Sequence, residues 1–221
     1  VNGVVDMRSA PITNKQNINI NVYMGNYQFP NNNLQFRKLP CYNYGLNGIF
    51  SEKVKQHSVA IYWNQINDDG FRMNEHDYRV RMGWRYTYEF KNRLSPLSIS
   101  LNGSTQKGQS GSFLIWQNST LAYTPLDSSH SFTVGKRLNV DPIISWSGKK
   151  WKHKFQNRLF NISNDIDNGD STNKQNNSCK IIYSEFKSKR AFLNEHLELN
   201  IGVVSNKIYS ESSLFGGIHK I

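Results

Sequence analysis

Between Tyr78 and Phe90 apolar and polar side chains alternate at every position. Tyr78, Val80, Met82, Trp84, Tyr86, Tyr88 and Phe90 fall on one side, and Arg79, Arg81, Gly83, Arg85, Thr87 and Glu89 on the other. A period of two predicts a β-strand. Its length exceeds the usual globular strand and matches the roughly 9 to 11 tilted residues that cross a bilayer. Three arginines facing a dry core would each carry a desolvation cost of several kcal/mol, so that side must meet water while the aromatic side meets something apolar. A barrel wall with lipid outside and a wet lumen meets both demands.

The same alternation recurs along the chain. Ile18, Ile20, Val22 and Met24 alternate with Asn17, Asn19, Asn21 and Tyr23, and Tyr42, Tyr44, Leu46 and Phe50 with Asn43, Asn47 and Ser51. Val59, Ile61 and Trp63 make a third strand, and Leu97, Ile99 and Leu101 oppose Ser98, Ser100 and Asn102. A less regular stretch from Phe132 to Trp146 is interrupted by Pro142. Trp151, Phe155 and Leu159 then oppose Lys152, Lys154, Gln156 and Arg158; Cys179 to Phe186 is a mixed apolar strand; and Leu197, Leu199, Ile201 and Val203 oppose Glu198, Asn200 and Gly202. No stretch has a helical period. The connections alternate in length. Short ones fall at Lys53 to Gln56, Lys91 to Pro96, Ser147 to Lys150 and Ser188 to Glu195; long ones, rich in Asn, Asp, Gly and Ser, fall at Tyr27 to Pro40, Asn67 to Asp77, Gln106 to Ser131 and Ser163 to Ser178. The expected fold is therefore all-β, an antiparallel up-and-down transmembrane β-barrel. With about nine crossings and unpaired edges, the barrel is incomplete in this chain.

A mean hydropathy of −0.64 and 37% hydrophobic residues look soluble. No apolar run approaches the roughly 18 residues of a membrane helix, but a barrel needs apolar residues only at alternate positions, so low average hydropathy leaves it open. The chain begins at Val1 with no leader pattern, which reads as an internal piece. Cys41 and Cys179 have no metal spacing, and nothing in the sequence supports a disulfide between them. The net charge of +11 admits a nucleic-acid reading. Many cations sit at alternate strand positions or in short connections, however, which reads as lumen and rim charge; no nucleic-acid partner is expected.

The first residues, Asn2-Gly3-Val4-Val5-Asp6-Met7-Arg8-Ser9-Ala10-Pro11, stand just before the first alternating strand. They resemble the last strand of the plug domain in TonB-dependent outer-membrane receptors. Three further stretches resemble the Bacteroidetes-type receptors: Asn67-Asp68-Asp69-Gly70-Phe71-Arg72, Gly111-Ser112-Phe113-Leu114-Ile115-Trp116-Gln117-Asn118 and Val140-Asp141-Pro142. The resemblance covers nearly the whole chain. It implies a fragment in which residues 1–13 end the plug and residues 14–221 form the N-terminal part of a barrel of about 22 strands. It also implies active uptake of a scarce ligand, a siderophore-type metal chelate or an oligosaccharide, across the outer membrane of a Gram-negative bacterium. The partners implied are outer-membrane lipid, the imported ligand, the inner-membrane TonB energy-coupling complex acting through a region absent from this chain, and, optionally, a surface lipoprotein. Readings from other classes are a passive porin or adhesion barrel, and then a soluble carbohydrate-binding β-sandwich.

Candidate chemistry is sparse. Arg79, Arg81 and Arg85 can line the path of an anionic ligand, or bond acidic plug residues and hold the plug in place, the preferred alternative. Phe113, Trp116 and Tyr123, in the third long loop, can stack on a sugar or aromatic ligand, or serve as rim and loop-packing aromatics. Glu75, His76 and Asp77, and likewise Asp165, Asp167 and Asp170, invite a calcium reading but fit no full calcium-loop spacing. Asn102-Gly103-Ser104, Asn118-Ser119-Thr120 and Asn161-Ile162-Ser163 match the glycosylation acceptor pattern, as chance matches in an Asn- and Ser-rich chain do. No nucleophile elbow, zinc-helix spacing or phosphate-binding loop is present, and the six histidines are scattered. No metal, no cofactor and no enzymatic activity are expected.

Overall fold

The structure is a computed structural model that describes residues 12, 16–28, 40–90, 96–121, 123–126, 129–169, 175–192, 197–213 and 217–220. Ten antiparallel strands follow in chain order: β1 (Asn17–Asn26), β2 (Tyr42–Val54), β3 (His57–Asp68), β4 (His76–Phe90), β5 (Leu97–Phe113), β6 (His130–Ser147), β7 (Trp151–Asp167), β8 (Asn177–Phe192), β9 (Leu197–Ser212) and the short β10 (Gly217–Lys220). They form one sheet in sequential order from β1 to β10, unclosed, with no helix among the described residues. Each strand touches only its sequence neighbours, so the sheet does not fold back on itself. A β-sandwich requires two packed sheets, and the sandwich alternative thereby loses its structural basis. The proposed end of the plug, residues 1–13, lies outside the described residues apart from Ile12.

Register assigns every strand residue to a face, because directly paired residues share one. The side bearing Tyr78 to Phe90 continues through Ile61 and Trp63 on β3, Ile99 and Leu101 on β5, and Val140 and Ile144 on β6. It then runs through Phe155 on β7, Phe186 on β8 and Val203 on β9. Aromatic and β-branched pairs such as Trp84 with Ile61 and Phe155 with Phe186 stabilise the ladder by about 0.2–1 kcal/mol each. The opposite face carries Asn, Ser, Thr, Arg and Lys. This is a single layer without a core: Phe113 is the one buried hydrophobic among the described residues, while Val22, Met24 and Val203 are about seven-tenths exposed. The accessible surface is 15986 Å², against roughly 10,400 Å² expected for a compact monomer of this mass.

The strands are staggered. The row of paired residues through Tyr88 begins on β3 at its first residue, His57. It passes through Ile99, Ile144, Phe155 and Phe186 and reaches β9 at Val203, six positions beyond that strand's first residue, Leu197. Six residues are about 20 Å along a strand, and six strand spacings are about 29 Å across the sheet. If the short turns share one rim, the strands tilt from the barrel axis by about 35°, the range that barrel closure demands.

Several strands are longer than the alternation indicated. β5 continues past Gln106 to Phe113, so the third long connection starts at Leu114, and β7 and β8 extend to Asp167 and Phe192. These extensions are largely polar, that of β5 also with two glycines, but each finds a paired neighbour, and ladder hydrogen bonds override weak propensity. Pro142 does not interrupt β6. The β6–β7 ladder lapses only at Asp141 and Pro142 and resumes at Ile143 in the same register. The strand ends joined by 27–41, 69–75, 114–129 and 168–176 lie on one rim and those joined by 55–56, 91–96, 148–150 and 193–196 on the other, as expected; at the first rim only four residues separate β9 from β10. The described histidines of the long strands are not scattered. His57 packs at a tilt against Tyr88, and His153 lies among Trp146, Trp151 and Phe186, at the short-turn end of the apolar face; His76 and His130 contact Phe132 at the long-loop end. Cys41 and Cys179 are free thiols.

Candidate functional site

Among the described residues, the polar face carries two depressions of note. The larger, about 560 Å³, sits at the long-loop end of β3 to β7 and is bounded by Tyr27, Phe71, Arg79, Gln106, Arg137 and Asn164 among others. One wall is the 69–75 connection. Its chain reversal needs Gly70, at φ 72°, where an added Cβ would stand 2.2 Å from the Glu75 carbonyl oxygen. Asp68 accepts from the Gly70 amide (2.8 Å) and the Tyr27 hydroxyl (2.9 Å), and Asp69 accepts from the Tyr42 amide and Tyr78 hydroxyl (3.0 Å each). Arg72 forks onto Glu75, with Nη2 to Oε1 at 2.7 Å and Nε to Oε2 at 3.2 Å. That guanidinium holds the Glu75 carboxyl below its ordinary range, while burial and then the Asp68 hydrogen bond push the Tyr27 phenol up.

The carboxylates at this cleft are thus engaged: Asp68 by Tyr27, Glu75 by Arg72, and Asp77 by Arg79 at 2.6 Å. Arg137 is exposed and has no ion-pair partner among the described residues. The buried Arg79 Nε has no hydrogen-bond acceptor. The cleft therefore presents donors and aromatic edges, a lining suited to an oxygen-rich or anionic ligand. The second depression, about 490 Å³, lies farther down the same face around Asn102, Asp141, Arg158, Tyr183 and Asn206. There Arg158 grips Asp141 with Nε to Oδ1 at 2.8 Å and Nη2 to Oδ2 at 3.0 Å, bridging the β6–β7 lapse at Pro142.

Arg79, Arg81 and Arg85 share the polar face, as alternation requires, but only Arg79 reaches the cleft. Arg81 donates to Gln106 Oε1 from Nε at 2.8 Å. The loop aromatics separate. Phe113 is 3% exposed beneath the Arg72 guanidinium, whose carbon lies 4.5 Å from the ring centroid, so neither a sugar nor an aromatic ligand has access to it. Trp116 is exposed, bridged to Pro125. Tyr123 packs edge-on against Phe71 at 4.8 Å and so braces the cleft from behind. Tyr27, Phe71 and Arg137 were missed in the sequence because their convergence depends on cross-strand register. Glu75 and Asp77 of the first calcium-type cluster are ion-paired to arginines, and Asp170 of the second lies outside the described residues. No group of three metal-ligating side chains occurs among the described residues.

Searches of protein families, of curated proteins and of solved structures return no match to the chain.

Proposed function

We propose that this chain is part of the barrel wall of a TonB-dependent outer-membrane receptor of the Bacteroidetes type, serving active uptake of a siderophore-type chelate or an oligosaccharide. The carrying observation is the single-layer sheet, whose uncovered apolar face has a polar, ion-paired reverse. Hydrocarbon on one side and water on the other account for both faces. The tilt of about 35° and the long loops gathered on one rim agree with an outer-membrane barrel. Closure then requires further strands at the edges left by β1 and β10. The rim cleft is the ligand entrance, with Arg79 and Arg137 facing anionic or hydroxyl oxygens, and the polar face below it meets the plug. The energy-coupling complex, the plug and a surface lipoprotein would act through segments other than the strands described.

The test is uptake of a labelled ferric siderophore and of a labelled oligosaccharide by the source bacterium. Uptake should disappear on deletion of the gene and on dissipation of the proton motive force. Gene-dependent uptake that survives a protonophore would identify a passive porin, and deletion without effect on either cargo, but with loss of surface attachment, an adhesion barrel.

A further inference from the structure

Four strands carry a lysine on the apolar face toward the long-loop rim. Lys107 on β5, Lys136 on β6 and Lys207 on β9 each stand ten positions from the apolar residue at the short-turn end of the same strand, Leu97, Trp146 and Leu197 respectively. On β8, Lys180 stands ten positions from Arg190, whose guanidinium lies over the Trp151 and Phe192 rings. All four lysines are on the apolar face by register and exposed. Between them and the short-turn ends that face carries no charged residue on β5, β6 and β9, and on β8 only Arg190, next to the end residue Phe192. Ten residues are about 33 Å along the strand, or about 27 Å along an axis tilted by 35°. That is close to the roughly 25 Å apolar band of an outer-membrane barrel.

Lys107 and Lys136 are directly paired across the β5–β6 ladder. Like charges placed directly opposite are destabilising unless an anion lies between them. None of the four lysines has an ion-pair partner among the described residues; the carboxylates on the same face, Asp165 diagonal to Lys136, Asp167 beyond it and Glu211 diagonal to Lys180, make no ion pair.

Resting on the membrane reading above, we propose that Lys107, Lys136, Lys180 and Lys207 form a band that binds the phosphate groups of anionic lipids in the leaflet at the long-loop rim. The apolar stems lie along the band and the ammonium groups reach up to the headgroups. The paired Lys107 and Lys136 clamp one phosphate between them. At a charged interface each lysine strengthens binding by about fivefold, so removing both should weaken phospholipid retention by about 25-fold.

The complete gene product, purified from membranes in neutral detergent, is mixed with phosphatidic acid, with phosphatidylcholine of the same acyl chains, or with inorganic phosphate, and retained lipid is counted by native mass spectrometry. The protein should prefer phosphatidic acid. K107Q/K136Q should lose that preference and K107R/K136R should keep it. Equal preference in K107Q/K136Q overturns the proposal, as does displacement of the lipid by inorganic phosphate at equal concentration, which would mark a small-anion site. In the same samples, brominated acyl chains should quench Trp63, Trp84, Trp146 and Trp151, all on the apolar face. Loss of preference with quenching intact supports the lysine band. Absence of quenching in the unmodified protein overturns the membrane reading itself.

Discussion

Leu101 and Asn102 are sequence neighbours on opposite faces of β5, and arginine placed at each should give very different results. Leu101 stands four positions above Leu97, about 13 Å along the strand and about 11 Å above the lower edge of a band about 27 Å tall. It is therefore close to the midplane, where an arginine on the lipid face costs about 2–4 kcal/mol. Asn102 lines the lower depression beside Asp141, whose carboxylate an arginine there can meet, and its buried Oδ1 has no hydrogen-bond partner to lose. Asn102→Arg should cost under about 1 kcal/mol, the ordinary scale for a hydrated surface site. Urea unfolding of the complete protein in phosphatidylcholine bilayers, followed by tryptophan emission, measures both. A Leu101→Arg cost within about 0.5 kcal/mol of the Asn102→Arg cost would refute burial of this face in hydrocarbon, since an exposed leucine in water tolerates arginine at almost no cost.

Three further outcomes are expected. The Asp141–Arg158 fork should show a coupling of about 0.2–1 kcal/mol in a double-mutant cycle by urea unfolding, small because Arg158 is 58% exposed; zero coupling at low salt would remove it as the brace of the Pro142 lapse. The depressed Glu75 carboxyl stabilises the 69–75 connection above its unfolded pKa, and that stability is lost as pH falls through the lower folded value. Pepsin cleavage in this connection should rise at the acid end, with the step absent in Glu75→Gln; an identical step in both would assign it elsewhere. Residues 1–221 alone should sediment as aggregates in buffer, because an apolar face this large exceeds what soluble monomers expose; a monodisperse, cooperatively unfolding monomer would contradict the single-layer sheet.

The architecture was legible wherever one face of a strand is strictly apolar. From Tyr78 to Phe90 there are no exceptions, and the register confirms the two sides residue by residue. Legibility failed at Gln106–Phe113, because alternation carries no signal when both faces are polar, although β4 and β6 still pair with this stretch. Pro142 misled for a related reason: a residue without an amide hydrogen should break a strand, yet here only the β7 side of the ladder lapses and the Arg158 fork covers the gap. The cleft was the least legible feature. Tyr27, Phe71, Arg79 and Arg137 come from four parts of the chain, and nothing local to any of them indicates the others.

The +11 total is distributed differently on the two faces of the sheet. On the apolar face charge is confined to strand ends: Lys107, Lys136, Lys180 and Lys207 with Asp165, Asp167 and Glu211 toward one rim, Arg190 and Glu52 toward the other. On the polar face it runs the full strand length, with acids set among the cations. Asp77 holds Arg79, Asp141 holds Arg158, Glu185 holds Lys187 and Glu198 holds Lys189. A duplex-binding surface needs unpaired cations along one continuous track. Here the polar face is laced by ion pairs, and its excess cations, Arg137 at the cleft among them, are spread over separate strands. Such a face suits a wet interior that must stay hydrated under a plug or a passing anionic cargo, because each pair lowers the cost of holding charge beside a low-dielectric wall. The lysines on the other face make no ion pair with the carboxylates of that face, which leaves them open to an anion from outside the protein, the phosphate of a lipid on the reading proposed above.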